Sequence, residues 1–181
     1  MGELRISGGE LGGRRIAAPS RGSELRPTTE RVREAIFSML GPLEGVRVLD
    51  LYCGTGALGI EALSRGAVQA TLVDTRPGLA RRNLEALDLG GRAVVVRSDA
   101  VRYLDRASKG SFDLILCDPP YGLDRRRTAK LDPLLRRALA PGGRLIVESS
   151  PERPIEVSLP LLRERRYGDT LVRLHGEEGE R

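Results

Sequence analysis

The chain has 181 residues, with 30 Lys or Arg against 25 Asp or Glu, a net charge of +5 and a pI near 9.7. At 40% apolar and 30% charged residues it can bury the core of one domain, which excludes disordered and fibrous chains. No apolar run approaches the roughly 18–20 residues of a membrane span, and Met1-Gly2-Glu3-Leu4-Arg5 lacks the apolar core of a signal peptide, so a cytoplasmic protein is expected.

The first 45 residues contain two short strand-like pieces around Gly-rich turns between Arg5 and Ile16, which predict a small hairpin. Pro27-Thr28 then opens a helix through Leu40, with Val32, Ile36, Met39 and Leu40 on one face. From Gly45 onward strands and helices alternate. Strands are predicted over 46–51, 69–74, 93–96, 112–117 and 144–148, and helices over 57–64, 77–89, 100–107 and 131–139, the last stopped by Pro141-Gly142-Gly143. This rhythm implies βαβ units and a parallel sheet covered on both faces. It ends differently: 161–167 and 170–174 flank Gly168-Asp169, a tight turn between antiparallel strands. The expected division is an N-terminal hairpin and helix over 1–44 and an α/β domain over 45–181.

Only Lys109 and Lys130 are lysines, leaving 28 arginines. Guanidinium forks match phosphate oxygens, so the balance favours a phosphate-bearing partner without deciding for one. Cys53 and Cys117 lie 64 positions apart, which rules out a CxxC pair or zinc ligand set. The single histidine, His175, lies in what reads as a fraying strand and is a poor candidate for a nucleophile's base.

Three loops carry chemistry. In the first, Asp50-Leu51-Tyr52-Cys53-Gly54-Thr55-Gly56, a strand passes through glycines into a helix, and Gly54 to Gly59 matches GxGxxG. Asp50 would repel the pyrophosphate of a dinucleotide, which argues against an NAD-dependent dehydrogenase, but it suits the ammonium and sulfonium of S-adenosylmethionine. Gly54 and Gly56 are expected to let the backbone approach that ligand. In the second, Asp74 ends the next strand, where a carboxylate accepts ribose hydroxyls or caps the following helix. Asp99, beside Ala100, holds the equivalent place one unit later, for an adenine amino group or again a cap. The third is Asp118-Pro119-Pro120-Tyr121, directly after the fourth strand. Two prolines remove two N–H donors and keep the carbonyls, so with Asp118 they form a cluster of acceptors beside the flat ring of Tyr121. Such a cluster suits the amino group of a base, with Tyr121 stacked on its ring.

These residues resemble the class I S-adenosylmethionine-dependent methyltransferases that act on amino groups. More closely, Arg5–Gly9, Gly12–Ile16, Leu25–Phe37, Gly56–Gly66 and Arg166–Thr170 are similar to the RsmD-type family. The resemblance implies a Rossmann-like, mostly parallel seven-stranded sheet with an antiparallel C-terminal hairpin and helices on both faces. It also implies methylation of the N2 amino group of one guanine in 16S ribosomal RNA, within a partly or fully assembled small subunit. Asp118, Pro119, Pro120 and Tyr121 would be catalytic. Asp50, Tyr52, Cys53, Gly54, Gly56, Asp74, Asp99, Ala100 and Asp118 would hold S-adenosylmethionine, with no metal. Arg14, Arg15, Arg26, Arg31, Arg33, Arg125, Arg126 and Arg127 are the expected RNA contacts, and a monomer is expected. The motifs alone also admit adenine N6 on RNA or DNA, and a non-catalytic RNA-binding protein of the same fold.

Overall fold

In Arg47–Leu51 (β3), Phe112–Cys117 (β6) and Leu139–Ser149 (β7), residues facing either side of the chain are buried, as strands at the middle of a covered sheet require. The computed structural model describes residues 2–19, 29–120 and 125–177, the Arg125 side chain excepted. The remaining elements in chain order are β1 (Gly2–Arg5), β2 (Arg15–Ala18), α1 (Glu30–Leu40), α2 (Ala57–Ser64), β4 (Gln69–Asp74), α3 (Gly78–Ala86), β5 (Ala93–Arg97), α4 (Ala100–Arg106), α5 (Arg125–Ala138), β8 (Leu161–Tyr167) and β9 (Thr170–Gly176). The main sheet runs β5-β4-β3-β6-β7-β9-β8, parallel except for β9, which pairs antiparallel with β7 on one side and β8 on the other. This is the arrangement that the resemblance implies.

Two apolar clusters fill the two faces. Helices α1, α2 and α3 close one around Ile36, Ile60, Leu63, Leu72 and Ile146, and α4 and α5 close the other around Leu51, Leu104, Ile115 and Leu135. The β1–β2 hairpin contributes Ile6 and Ile16 to the first cluster. Its turn lies against the end of α2: the backbone of Gly9, at φ 77°, passes so near Ser64 that a Cβ would stand 1.8 Å from its carbonyl oxygen. Ser64 in turn donates its hydroxyl to the Gly8 carbonyl (2.6 Å) and accepts from the Leu11 N–H (2.9 Å).

Glu61, on α2 and wholly buried, joins these parts. It accepts from the Ser7 N–H (2.9 Å), the Ser7 hydroxyl (2.6 Å) and the Arg65 Nε (3.0 Å), and it faces Arg33 of α1 at 4.0 Å. Arg33 also donates to the Arg5 carbonyl. Arg65 covers the Phe37 ring at 5.0 Å.

Two element starts differ most from expectation. Helix α5 begins at Arg125, six residues before the predicted start, and carries Pro133 inside it. Its Arg-rich first turns have no apolar period, and the proline reads as a break. Strand β7 begins at Leu139 and not at the predicted Arg144, so it contains the Pro141-Gly142-Gly143 expected to stop the preceding helix; an irregular register opposite Phe112 and Leu114 absorbs those residues. His175 is not fraying: it lies buried in β9, its Nδ1 3.1 Å from the Leu159 carbonyl oxygen, and burial lowers its pKa.

Replacing Glu61 by Ala strands Ser7 and Arg65 and removes the carboxylate facing Arg33. The expected cost is about 3–5 kcal/mol, read as a shift in the urea unfolding midpoint; a change of under about 1 kcal/mol would mean the hairpin docks without this node.

Candidate active site at the strand ends

The register of the parallel strands brings the three loops to one level. Leu51 pairs with Val73 and with Cys117, so Tyr52, Asp74 and Asp118 each follow at the same height along β3, β4 and β6. Val73 carries this level on to Val96 of β5, from which Asp99 is three residues away. Ligands of open α/β sheets bind outside these strand ends.

The glycine loop is held chiefly by its own backbone and by Asp74. Tyr52 adopts a left-handed conformation at φ 61°, which turns the chain off the strand. Cys53 donates its N–H to the Val73 carbonyl (3.2 Å), and the Gly56 N–H returns to the Cys53 carbonyl (2.7 Å). Asp74 accepts the Gly54 N–H on Oδ2 (3.0 Å) and the Arg76 N–H on Oδ1 (2.8 Å), so it braces the loop and is not the side-chain cap of α3. Gly54 has open space where a Cβ would stand, as a ligand approach needs. Gly56 does not: a Cβ there would meet Leu72 at 2.9 Å and Ala80 at 3.2 Å. A left-handed φ of 79° and the close packing of α2 on β4 and α3 both require glycine at this position.

Asp50 lies beneath this loop and is 1% exposed. Its Oδ2 accepts the Gly59 N–H from the first turn of α2 (2.9 Å). Burial pushes its carboxyl up to about 8, opposed by the Gly59 N–H and reinforced by the charges of Asp118 and Asp74. Those two carboxylates thus reach Asp50 electrostatically, as convergent loops demand. The Cys53 and Cys117 thiols are buried and pushed well above their ordinary range, Cys53 by burial and then Asp50, Cys117 by burial and then Asp118. Both are neutral packing groups, and what Cys53 gives the site is its backbone. Burial likewise raises the Tyr52 phenol.

Asp99 caps α4, accepting the Val101 N–H at 3.0 Å and the Arg102 N–H at 3.3 Å on one oxygen, while Arg127 stands 3.9 Å from the other. Ala100 is buried, so only its backbone is available to a ligand. Asp118 is partly exposed at the end of β6, followed by a buried Pro119 and an exposed Pro120. Tyr121 and Arg26 lie outside the described residues, as does the side chain of Arg125.

Among the expected RNA contacts, Arg14, Arg31, Arg126 and Arg127 are exposed, and Arg15 is exposed but pairs with Glu3 at 2.7 Å. Arg33 is a correction: it is 0% exposed and faces Glu61, so its place is in the core and not on RNA. Sequence reasoning also missed Asn83. It is buried in α3, donates to the Thr55 carbonyl of the glycine loop (2.9 Å) and exchanges two hydrogen bonds with Ala17 of β2. Its signal is an amide on the apolar stripe set by Ala80 and Leu84.

The profile of the family described as Conserved hypothetical protein 95 matches residues 4–176, all but the two ends of the chain. The chain belongs to that family. YlbH of Bacillus subtilis, named provisionally as an rRNA methyltransferase, is 36% identical over 97% of this chain and 100% of its own. Ribosomal RNA small subunit methyltransferase D of Escherichia coli (strain K12) is 42% identical over 66% of this chain and 61% of its own. A solved structure from Escherichia coli, YhhF, whose methyltransferase activity is also named provisionally, superposes with a TM-score of 0.82 at 34% identity, covering 99% of this chain and 100% of that one.

The buried acid supplies a pH test. An unfolded Asp titrates near 3.9, whereas Asp50 in the folded protein holds its proton up to about 8. The stability it contributes is therefore fully present below about pH 4 and is lost as pH rises through about 8. Asp50→Asn keeps an acceptor for Gly59 and carries no charge. The melting temperature of Asp50→Asn relative to the native protein should climb between about pH 5 and pH 8 and level off above. A constant difference across that range would mean that Asp50 is already ionised in the folded protein.

Proposed function

We propose that this protein transfers a methyl group from S-adenosylmethionine to the exocyclic N2 amino group of a guanine in 16S ribosomal RNA. The observation that carries this reading is the Asp118-Pro119-Pro120 turn, level with Asp74 and within electrostatic reach of Asp50. It belongs to a chain whose relatives are named small-subunit rRNA methyltransferases.

The residues present fit the cofactor. A buried acid that is costly to ionise suits a cationic ligand, whose charge repays that cost, and the open side of Gly54 leaves room for close backbone approach. Asp50 would act on the amino-acid end, Asp74 on the ribose hydroxyls, and the outer oxygen of Asp99 on the adenine amino group in place of Arg127. When bound, the cofactor supplies an activated methyl on a sulfonium, which makes a metal or a covalent enzyme intermediate unnecessary.

The protein's part is alignment and proton acceptance. Asp118 and the Pro119 carbonyl accept from the two N–H groups of the target amine, fixing its nitrogen for in-line displacement and converting a bimolecular step into a local one. Asp118 then takes the proton released after transfer; the methylated ammonium is acidic, so a weak base suffices. The base must leave its stack, which is cheaper in an RNA loop than in a duplex. Tyr121 would stack on it. Arg14, Arg31, Arg126 and Arg127 are proposed to meet phosphates around the cleft, from the extension over 1–44 and from the start of α5. The assembled small subunit is proposed as the substrate and the monomer as the working form.

Labelled methyl incorporation into free 16S rRNA and into unmethylated small subunits, followed by mapping of the base, tests the whole reading; label on adenine N6 would replace guanine N2. Asp118→Ala should abolish transfer and leave the cofactor dissociation constant nearly unchanged, and equal loss of both would contradict this division of labour. Asp74→Ala should weaken cofactor binding roughly 10–100-fold, the value of a charge-assisted hydrogen bond. An unchanged dissociation constant in calorimetry would remove Asp74 from the ribose.

A further inference from the structure

A cleft of about 680 Å³ runs along α4, on the flank of the sheet where β5 is the edge strand. Val96, Arg97, Asp99, Arg102, Tyr103 and Arg106 line it. Tyr103 is partly buried and hydrogen-bonded to Thr71 of β4, so its ring is a fixed wall. Arg97 is held by the Thr75 carbonyl at 3.2 Å. Arg102 and Arg106 lie one turn apart on the same face of α4, both exposed. Among the described residues, no hydrogen bond or ion pair reaches either guanidinium.

That sets them apart from many arginines of this chain. Arg47 makes a fork with Asp113, Arg65 serves Glu61, Arg173 pairs with Glu156 and Glu164, and Arg137 bonds the last carbonyls of α4. Like charges at i and i+4 work against a helix, yet α4 keeps two, and among the described residues neither Asp99 nor Asp105, each three residues from Arg102, forms an ion pair with them. The pair is also continuous with the candidate active site: Asp99 caps α4 at the mouth of the cleft, and Arg127 reaches Asp99 from the start of α5.

We infer that this cleft holds the phosphate backbone of an RNA segment next to the one that presents the target base, with Arg102 and Arg106 on successive phosphates. The inference rests on the rRNA reading above. The charges are spread along α4 instead of converging on one point, which suits a strand better than a small anion. Seven residues of helix span about 10 Å, room for about three nucleotides at the roughly 3.4 Å spacing of a stacked strand. Val96 and the Tyr103 ring, which line the same cleft, offer an apolar surface for a ribose or base.

The test is the double variant R102Q/R106Q of the full chain, with R102K/R106K as its partner, each checked by thermal melting to be folded. Binding to a 16S rRNA transcript is followed across a salt series, and methyl transfer to small subunits is followed at varied RNA-substrate concentration. Loss of two phosphate contacts should lower the slope of log K against log salt by about 1.4, at about 0.7 per contact on a single strand. KM for the RNA substrate should rise about tenfold or more, the cofactor dissociation constant should hold, and the lysine pair should restore the slope. An unchanged slope overturns the inference even if KM rises, since that pattern describes a protein contact. A loss confined to kcat overturns it as well. A native protein that binds the transcript but methylates no rRNA would instead refute the proposed activity, and the salt series would still decide the cleft.

Discussion

A carboxylic acid buried under a glycine loop is the constraint from which the site follows. Asp50, the next-to-last residue of β3, must stand where the first turn of α2 offers it the Gly59 N–H, and a Cβ on Gly59 would stand 3.1 Å from its Oδ2. That contact sets where α2 starts, and with it the short path of Tyr52 to Gly56 above the acid. Asp74 then holds the loop from the neighbouring strand through Gly54, and Asn83 holds it from below through Thr55. The acid carries its cost openly: burial and two neighbouring carboxylates disfavour its charge, and among the described residues the Gly59 N–H alone supports it.

The arginines have a different meaning from the one their number invites. Three helices are closed at their C-termini by a guanidinium from elsewhere in the chain: Arg144 at Leu40 of α1, Arg92 at Leu63 and Ala67 beyond α2, and Arg137 at Leu104, Asp105 and Ala107 of α4. The last carbonyls of a helix need donors and carry partial negative charge, and a planar fork supplies several donors at once where an ammonium supplies a point charge. Much of the basic composition is thus structural, and the surface facing a polyanion is narrower than +5 and 28 arginines imply.

The alternation of strands and helices was legible because buried parallel strands are short apolar runs between turn residues, and β6 and α2 fall on the predicted residues. The level of Tyr52, Asp74 and Asp118 was legible for the same reason, since each ends such a run. What escaped depends on partners far along the chain. Arg33 reads as a surface base in Glu30-Arg31-Val32-Arg33-Glu34, and its burial makes sense only once Glu61 of α2 and the Arg5 carbonyl are seen beside it. Gly56 reads as a ligand-facing glycine, and only Leu72 and Ala80 reveal a packing reason. The start of α5 has no apolar period to announce it, and Pro133 argues against the helix that contains it. Local pattern reports burial by period; it does not report which distant group shares a hydrogen bond.

Strand β9 enters the sheet between β7 and β8, although it is the last strand to appear along the chain. Strand β8 has β9 as its one partner in the sheet, and β7 has no neighbour on that side until β9 arrives. During synthesis β8 therefore leaves the ribosome with nothing to pair with, and Ile146 of β7 stays unmatched on that side until β9, which bears its partner Leu174, follows. The central strands can assemble earlier, but the edge of the sheet closes from its final segment inward. Chain order thus makes the finished sheet depend on β9, which follows both of its neighbours in sequence.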